Sequence, residues 1–435
     1  MTMTFFRITE VRFHKSRFLR KLRHDWLHNH LWNHWPTITL IYSLVICILV
    51  TIRTNKRMVH EDIPLHLEYP VDCGEIMKGD PEELDHVLKL YEQVSDISVN
   101  GLLPIPSDRR VLAFATNCHF FKQQRKYPQR TASHEEEQYP LAFVIVIHRN
   151  AAQVERLLRA LYQPQNVYAI HPDAKSPPDF IKAIRKLASC FDNVFVCSTL
   201  EDVQYGRHSH LMAYINCMRD LIKHPVQWKY VINQCGEAFP LKTNLEMVQQ
   251  LKSYNDLNDV ESHPTSGKKL KRFHRNGPNR KLEVGITLQH NPSPPGDIEL
   301  FSGNAYNSLT RGFVDFVLSE DLPQKFLKWL GDVMYPDKYY WASLNRVPGT
   351  PGGSNENTMD LTSYVNTMHD HRHVSNNRNI HHRYVFNSAD LARMSSMPHL
   401  FIDKLSYSND PISLQCLQDL LTIRAHSDHS WLPWL

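Results

Sequence analysis

The run L-A-F-V-I-V-I-H, Leu141 to His148, decides the fold class of this chain. It is a continuous apolar segment, as in a strand buried on both faces. Working outward, Ala151 to Tyr162 has helical spacing at Val154, Leu157, Leu158 and Leu161. Val167 to Ile170 reads as a second strand, ending at His171-Pro172-Asp173. A helix over Pro178–Leu187, a strand over Val194–Cys197 and a helix over His210–Ile222 follow, then a strand over Tyr230–Asn233 and a helix over Asn244–Leu251. Alternation at this spacing predicts an α/β domain, a mostly parallel sheet flanked by helices. Ligands of such sheets bind beyond the carboxyl ends of the strands. That rule places His148, Asp173 with Lys175, Tyr205 and the Cys235-Gly236-Glu237 turn along one rim. Neither the dinucleotide fingerprint nor the P-loop occurs in the chain.

The 435 residues are 42% hydrophobic and 22% charged, ordinary for a globular protein. A net charge of +4 is too mild to argue for nucleic acid. One segment is not globular. Residues 35–52 read W-P-T-I-T-L-I-Y-S-L-V-I-C-I-L-V-T-I with no charge, enough to span a hydrocarbon core. Arg7, Arg12, Lys15, Arg17, Arg20, Lys21 and Arg23 precede it, and only Arg53, Lys56 and Arg57 follow closely. The positive-inside rule then leaves the N-terminus in the cytoplasm and the rest of the chain outside it. A cleaved signal peptide would want a shorter apolar core nearer the start. The expected organisation is a cytoplasmic tail (1–34), a signal anchor (35–52), a luminal stem merging into the domain (53–138), the catalytic-type domain (139–425) and a short tail (426–435). Cys47 falls in the span, and seven further cysteines would face an oxidising lumen, where disulfides persist. Seven is odd, so at least one is free or bonded to another chain.

After about residue 255 the pattern loosens. Lys268, Lys269, Lys271, Arg272, Arg275 and Arg280 form a basic run, read alone as a solvated loop. Residues 369–383 read H-D-H-R-H-V-S-N-N-R-N-I-H-H-R. In a strand His369, His371 and His373 would share a face and could hold zinc or copper, though no carboxylate partner is evident.

Several stretches together carry a resemblance. They are E-R-L-L-R-A-L-Y-Q-P-Q-N-V-Y (155–168), A-S-C-F-D-N-V-F-V (188–196), I-N-C-M-R-D-L (215–221), W-K-Y-V-I-N-Q-C-G-E-A-F-P-L-K-T-N-L-E (228–246), L-F-S-G-N-A-Y (300–306) and H-L-F-I-D-K-L (399–405). With these the chain resembles the β-1,6-N-acetylglucosaminyltransferases of the core-2 and I-branching family over about residues 110–420. The resemblance implies a GT-A-like fold, a type II Golgi membrane protein, UDP-GlcNAc as donor, and an O-glycan or polylactosamine acceptor. It leaves a homodimer open.

On the donor side the resemblance implies that Val146, Ile147, His148, Asp173, Lys175 and Tyr205 hold uracil and ribose. No D-x-D motif occurs, so no metal is expected, and fixed cations would neutralise the leaving diphosphate. Lys404 in L-F-I-D-K-L is one of the family's two basic residues. The other, an arginine, falls on His381, with Arg383 two residues on as a stand-in on the same strand face. On the acceptor side Glu261, Lys269 and Arg272 match.

The reaction centre departs from the family. Its S-P-D-E-x-x-W segment is Tyr335-Pro336-Asp337-Lys338-Tyr339-Tyr340-Trp341 here, so the glutamate that acts as base is Lys338. The reaction inverts in one displacement and needs a group to take the proton from the attacking 6-hydroxyl. A protonated lysine has no lone pair to offer, and its ordinary pKa is about 10.4. Asp337, one residue away, is the available stand-in carboxylate. The family's C-G-x-D-F-P aspartate is Ala238, and its S-W-S-R region is Arg207-His208-Ser209-His210. The same resemblance implies disulfides Cys73–Cys416 and Cys118–Cys190, a replacement bridge Cys197–Cys217, and a free Cys235. Two readings stay open: a transferase, or a relative that binds UDP-sugar or glycan without turning it over.

Overall fold

A computed structural model describes residues 68–93, 103, 105–265, 293–354, 360–365, 379–380 and 383–428. The chain divides into two units, Met1–Asp62 and Ile63–Leu435, and every described residue lies in the second. The expected membrane span lies in the first, outside the described residues. No described helix is long and apolar enough to cross a membrane.

The centre of the second unit is a five-stranded sheet in the order β3-β2-β1-β4-β8. Its strands are β1 (Leu141–Ile147), β2 (Val167–Pro172), β3 (Val194–Val196), β4 (Tyr230–Cys235) and β8 (Ser308–Thr310). The first four run parallel, and β8 is antiparallel to β4. Every residue of β1 is buried, and its side chains divide between two cores. Leu141, Phe143, Ile145 and Ile147 pack on one face, with Leu157, Leu158, Phe180 and Ile184. Ala142, Val144 and Val146 pack on the other, with Leu211, Met218, Trp228 and Trp341. That double burial is why the strand shows no polar alternation.

Two strands run further than their composition suggests. β2 continues through His171 to Pro172, paired with Ile147, and β4 continues through Gln234 to Cys235, paired with Val146. Asn233 and Gln234 are wholly buried in the ladder, so polar side chains there disguise a strand. A second sheet, β5-β12-β9, comprises β5 (Ala238–Pro240), β12 (Phe401–Asp403) and β9 (Ser363–Val365). Only Gly236 and Glu237 separate β4 from β5, so the rim of the main sheet leads straight into the small sheet.

The segment expected as a stem is helical from Cys73. Helices α1 (Cys73–Lys78), α2 (Pro81–Gln93), α3 (Asp108–Phe114), α4 (Cys118–Gln124) and α5 (His134–Glu137) precede β1. Ile76, Val87, Val111 and Phe121 enter the same core as Phe143. Helix α1 is bonded to α14 (Pro411–Asp428) by the Cys73–Cys416 disulfide, and α4 is tied down by Cys118–Cys190. Cys197–Cys217 is also formed, and Cys235 is the free thiol among the described residues.

An ion pair lies inside this layer. Arg125 donates Nε and Nη2 to the two oxygens of Glu155 at 2.8 and 2.9 Å, with the side chains 5% and 0% exposed. Glu155 sits on α6 (Ala151–Leu161), which covers the sheet. Removing one partner leaves a buried charge, so Arg125→Met is expected to cost about 3–5 kcal/mol. Arg125→Met with Glu155→Leu should recover most of that. Urea unfolding checks it, and a single-mutant loss under about 1 kcal/mol would contradict the buried pair.

Candidate active site

The carboxyl ends of β1, β2 and β4 and the end of β12 meet at one rim. At β1, the Ile147 side chain is sealed in the core, and its carbonyl accepts from Asp173 N at 2.8 Å. The Val146 carbonyl accepts from Gly236 N at 3.0 Å. These two residues therefore shape the rim through backbone. His148 is exposed at the strand end, and its carbonyl accepts from Ser176 Oγ at 2.9 Å.

Beyond β2, Asp173 is buried and accepts from the backbone N of Lys175 and Val203 at 3.1 and 3.3 Å. Lys175 Nζ lies 3.2 Å from Asp173 and 2.7 Å from Asp202. Tyr205 stands on the following loop, 54% exposed, its ring edge-on to Tyr335 at 5.6 Å. Gly206 beside it has φ +70°, and a Cβ there would meet the Tyr335 ring at 2.8 Å. Only glycine allows that approach.

Lys404 follows β12. Its Nζ is bonded to Glu237, which also accepts from Arg149 Nη2 at 2.7 Å. Burial opposes the charge of Glu237, but the two cations outweigh it and hold the carboxyl below its ordinary range. Gln153 of α6 fixes this corner. Its Nε2 donates to Gly236 O at 3.1 Å and Leu405 O at 2.9 Å, and its Oε1 accepts from Tyr407 N at 3.0 Å. Cys235 donates its thiol to Asp403 at 3.2 Å. Burial and that carboxylate push the thiol up to about 12, so it stays protonated.

Lys338 lies in the first turn of α12 (Asp337–Leu344). Ahead of it Tyr335 has φ +56°, a left-handed backbone rare outside glycine. Tyr335 N donates to Gly206 O at 2.8 Å, which joins this turn to the Tyr205 loop. Gly303 N donates to Lys338 O at 2.8 Å, which joins it to the other side. There β6 (His263–Pro264) pairs with β7 (Phe301–Ser302), and Glu261 leads into β6. Lys338 is thus set between the Tyr205 loop and the Glu261 segment. Its Nζ lies 6.0 Å from the Tyr335 ring centre.

Asp337, the expected stand-in carboxylate, precedes Lys338 on the same helix turn. It is 4% exposed and its Oδ2 meets His210 Nδ1 at 3.2 Å. His210 belongs to α8 (His208–Leu221), so this contact clamps two helix starts together. Glu261 is paired with His263 at 3.0 Å. Asp360 joins it: burial first, then the charges of Glu261 and Asp259, raise its carboxyl to about 8. Sequence reading did not single out Arg149, Gln153 or Asp360. They are polar residues at loop edges, and no spacing marks them. Lys269, Arg272, His381 and the His369–His373 cluster lie outside the described residues, as does the Arg383 side chain. Among the described residues no group of His, Cys, Asp and Glu could hold a metal ion.

A mostly parallel α/β sheet with charged side chains gathered on its carboxyl rim belongs to the class that handles ligands at strand ends. The chain belongs to the Core-2/I-Branching enzyme family, whose model matches residues 141–397. It is 38% identical over 367 residues to a zebrafish (Danio rerio) protein, covering 81% of this chain and 84% of that one. That relative is named beta-1,3-galactosyl-O-glycosyl-glycoprotein beta-1,6-N-acetylglucosaminyltransferase 4. The mouse (Mus musculus) protein of the same name is 35% identical over 369 residues, 81% of this chain and 79% of that one. The human (Homo sapiens) enzyme named 3 in the same series is 33% identical over 385 residues, covering 85% and 87%.

Proposed function

We propose that this protein is a β-1,6-N-acetylglucosaminyltransferase that adds N-acetylglucosamine from UDP-GlcNAc to O-glycans of glycoproteins. The observation that carries the reading is the family match over residues 141–397, which spans the sheet and most of the rim. Val146, Ile147, His148, Asp173, Lys175 and Tyr205 form the uridine side, and Lys404 faces the diphosphate. Glu261 belongs to the acceptor side, with Lys269 and Arg272. No metal takes part, and basic side chains meet the leaving group. The protein is a type II Golgi membrane protein with this unit in the lumen. The three disulfides favour such an oxidising compartment.

A second reading has its own observation. Lys338 stands where a carboxylate base is required, and the adjacent Asp337 is engaged with His210. The chain then binds UDP-sugar or glycan and transfers slowly or not at all. Transfer of labelled GlcNAc from UDP-GlcNAc to a core-1 disaccharide and to an N-acetyllactosamine acceptor, without added metal, separates the two. Measurable, metal-independent transfer is the expected result. Absence of both transfer and UDP binding would sink the donor assignment.

A further inference from the structure

Glu237 and Lys404 converge for a topological reason. Glu237 is the last residue before β5, Lys404 is the first after β12, and these strands pair antiparallel, with Ala238 opposite Asp403. Leu405 N donates to Glu237 O at 2.8 Å, which fixes the register of the two side chains. Their side chains are only 10% and 11% exposed. Arg149 approaches the same carboxylate from the end of β1 at 2.7 Å and is 47% exposed.

Around the ends of β1, β2 and β12, the cations Arg149, Lys175 and Lys404 stand among the carboxylates Asp173, Asp202, Glu237 and Asp403. Lys175 is engaged by Asp173 and Asp202, and the other two cations by Glu237. A diphosphate brought here meets a corner already neutralised. A carboxylate oxygen and a phosphate oxygen compete for the same N–H donors, because both are ionised acceptors of charge-assisted hydrogen bonds.

We propose that Glu237 is a built-in competitor for the donor's diphosphate. It occupies Lys404 and Arg149 in the empty protein, and a nucleoside diphosphate binds by displacing it. The inference rests on the donor reading above. It makes Glu237 a determinant of donor affinity that does not touch the transferred sugar. Because the two cations keep the carboxyl ionised, mild acid does not release the latch, and the partly buried pair is little screened by salt.

The test is UDP binding by calorimetry to the full-length chain in detergent. Wild type, Glu237→Gln, Lys404→Ala and the double variant are compared, with thermal melts as a folding check. Glu237→Gln is expected to bind UDP about tenfold more tightly, the scale of one charge-assisted hydrogen bond regained. That gain should vanish in the Lys404→Ala background, since the two residues act on one ion pair. Equal or weaker binding by Glu237→Gln, with wild type still binding, overturns the proposal and makes Glu237 a positioner of Lys404. If Glu237→Gln fails to fold, Glu237→Asp replaces it: the carboxylate is drawn back by one methylene, and tighter binding is again required. If no variant binds UDP, the donor reading itself falls, a different outcome from the two above.

Discussion

Lys338→Glu is expected to raise the rate of GlcNAc transfer by about 10²- to 10⁴-fold over the wild-type chain, the usual contribution of a placed general base. The position is fixed on both sides by backbone. Tyr335 N is bonded to Gly206 O and Lys338 O to Gly303 N, so exchanging the side chain leaves the turn in place. The new carboxylate would stand between the Tyr205 loop and the Glu261 segment, within reach of an attacking hydroxyl. Single-turnover transfer to a core-1 disaccharide reads the effect. The rise should appear in kcat with KM little changed, because the base acts on the transition state. An unchanged rate would mean either that another group already serves as base or that the site is impaired beyond this residue. UDP binding by the same variant tells these apart.

Gly303→Ala is expected to do the reverse and disable the unit. A Cβ at Gly303 would lie 1.8 Å from the carbonyl oxygen of Glu261 and 2.6 Å from its carbon. Both are backbone atoms, so no side-chain rotation relieves the overlap. One of two segments must move: the strand from Glu261 into β6, or the contact from Gly303 to Lys338. Overpacking ordinarily costs about 1–3 kcal/mol, and a backbone collision stands at or above the top of that range. The variant should melt well below wild type and lose acceptor-dependent transfer. A normal melting point with normal transfer would show that the Glu261–Gly303–Lys338 junction is looser than described.

The parallel order was legible because β1 is buried on both faces and announces itself as an unbroken apolar run. The helices that cover it kept their spacing for the same reason, one stripe each against a core. Less was legible where polarity and structure part company. Asn233 and Gln234 are buried ladder residues, so the chain text ends β4 too early. The helices from Cys73 onward are short and mixed in composition. Only their contact with the main core, and two disulfides, explain their order.

The site divides along the same line. His148, Asp173, Lys175 and Tyr205 could be placed on the rim from strand order alone, because parallel topology puts strand ends together. The sequence also determined by itself that a lysine stands at the glutamate position of the family. What that lysine adjoins was decided only by tertiary structure: Tyr335 and Gly206 on one side, Gly303 and Glu261 on the other. The same holds for Asp337, whose neighbourhood in sequence suggested a substitute base. A helix turns successive side chains about 100° apart, so Asp337 points to His210 and not with Lys338. Glu237 and Lys404 are 167 residues apart in the numbering, and nothing local relates them. Strand pairing between β5 and β12 brings them into one ion pair, because ladder register is a property of the fold and side-chain charge is a property of the chain.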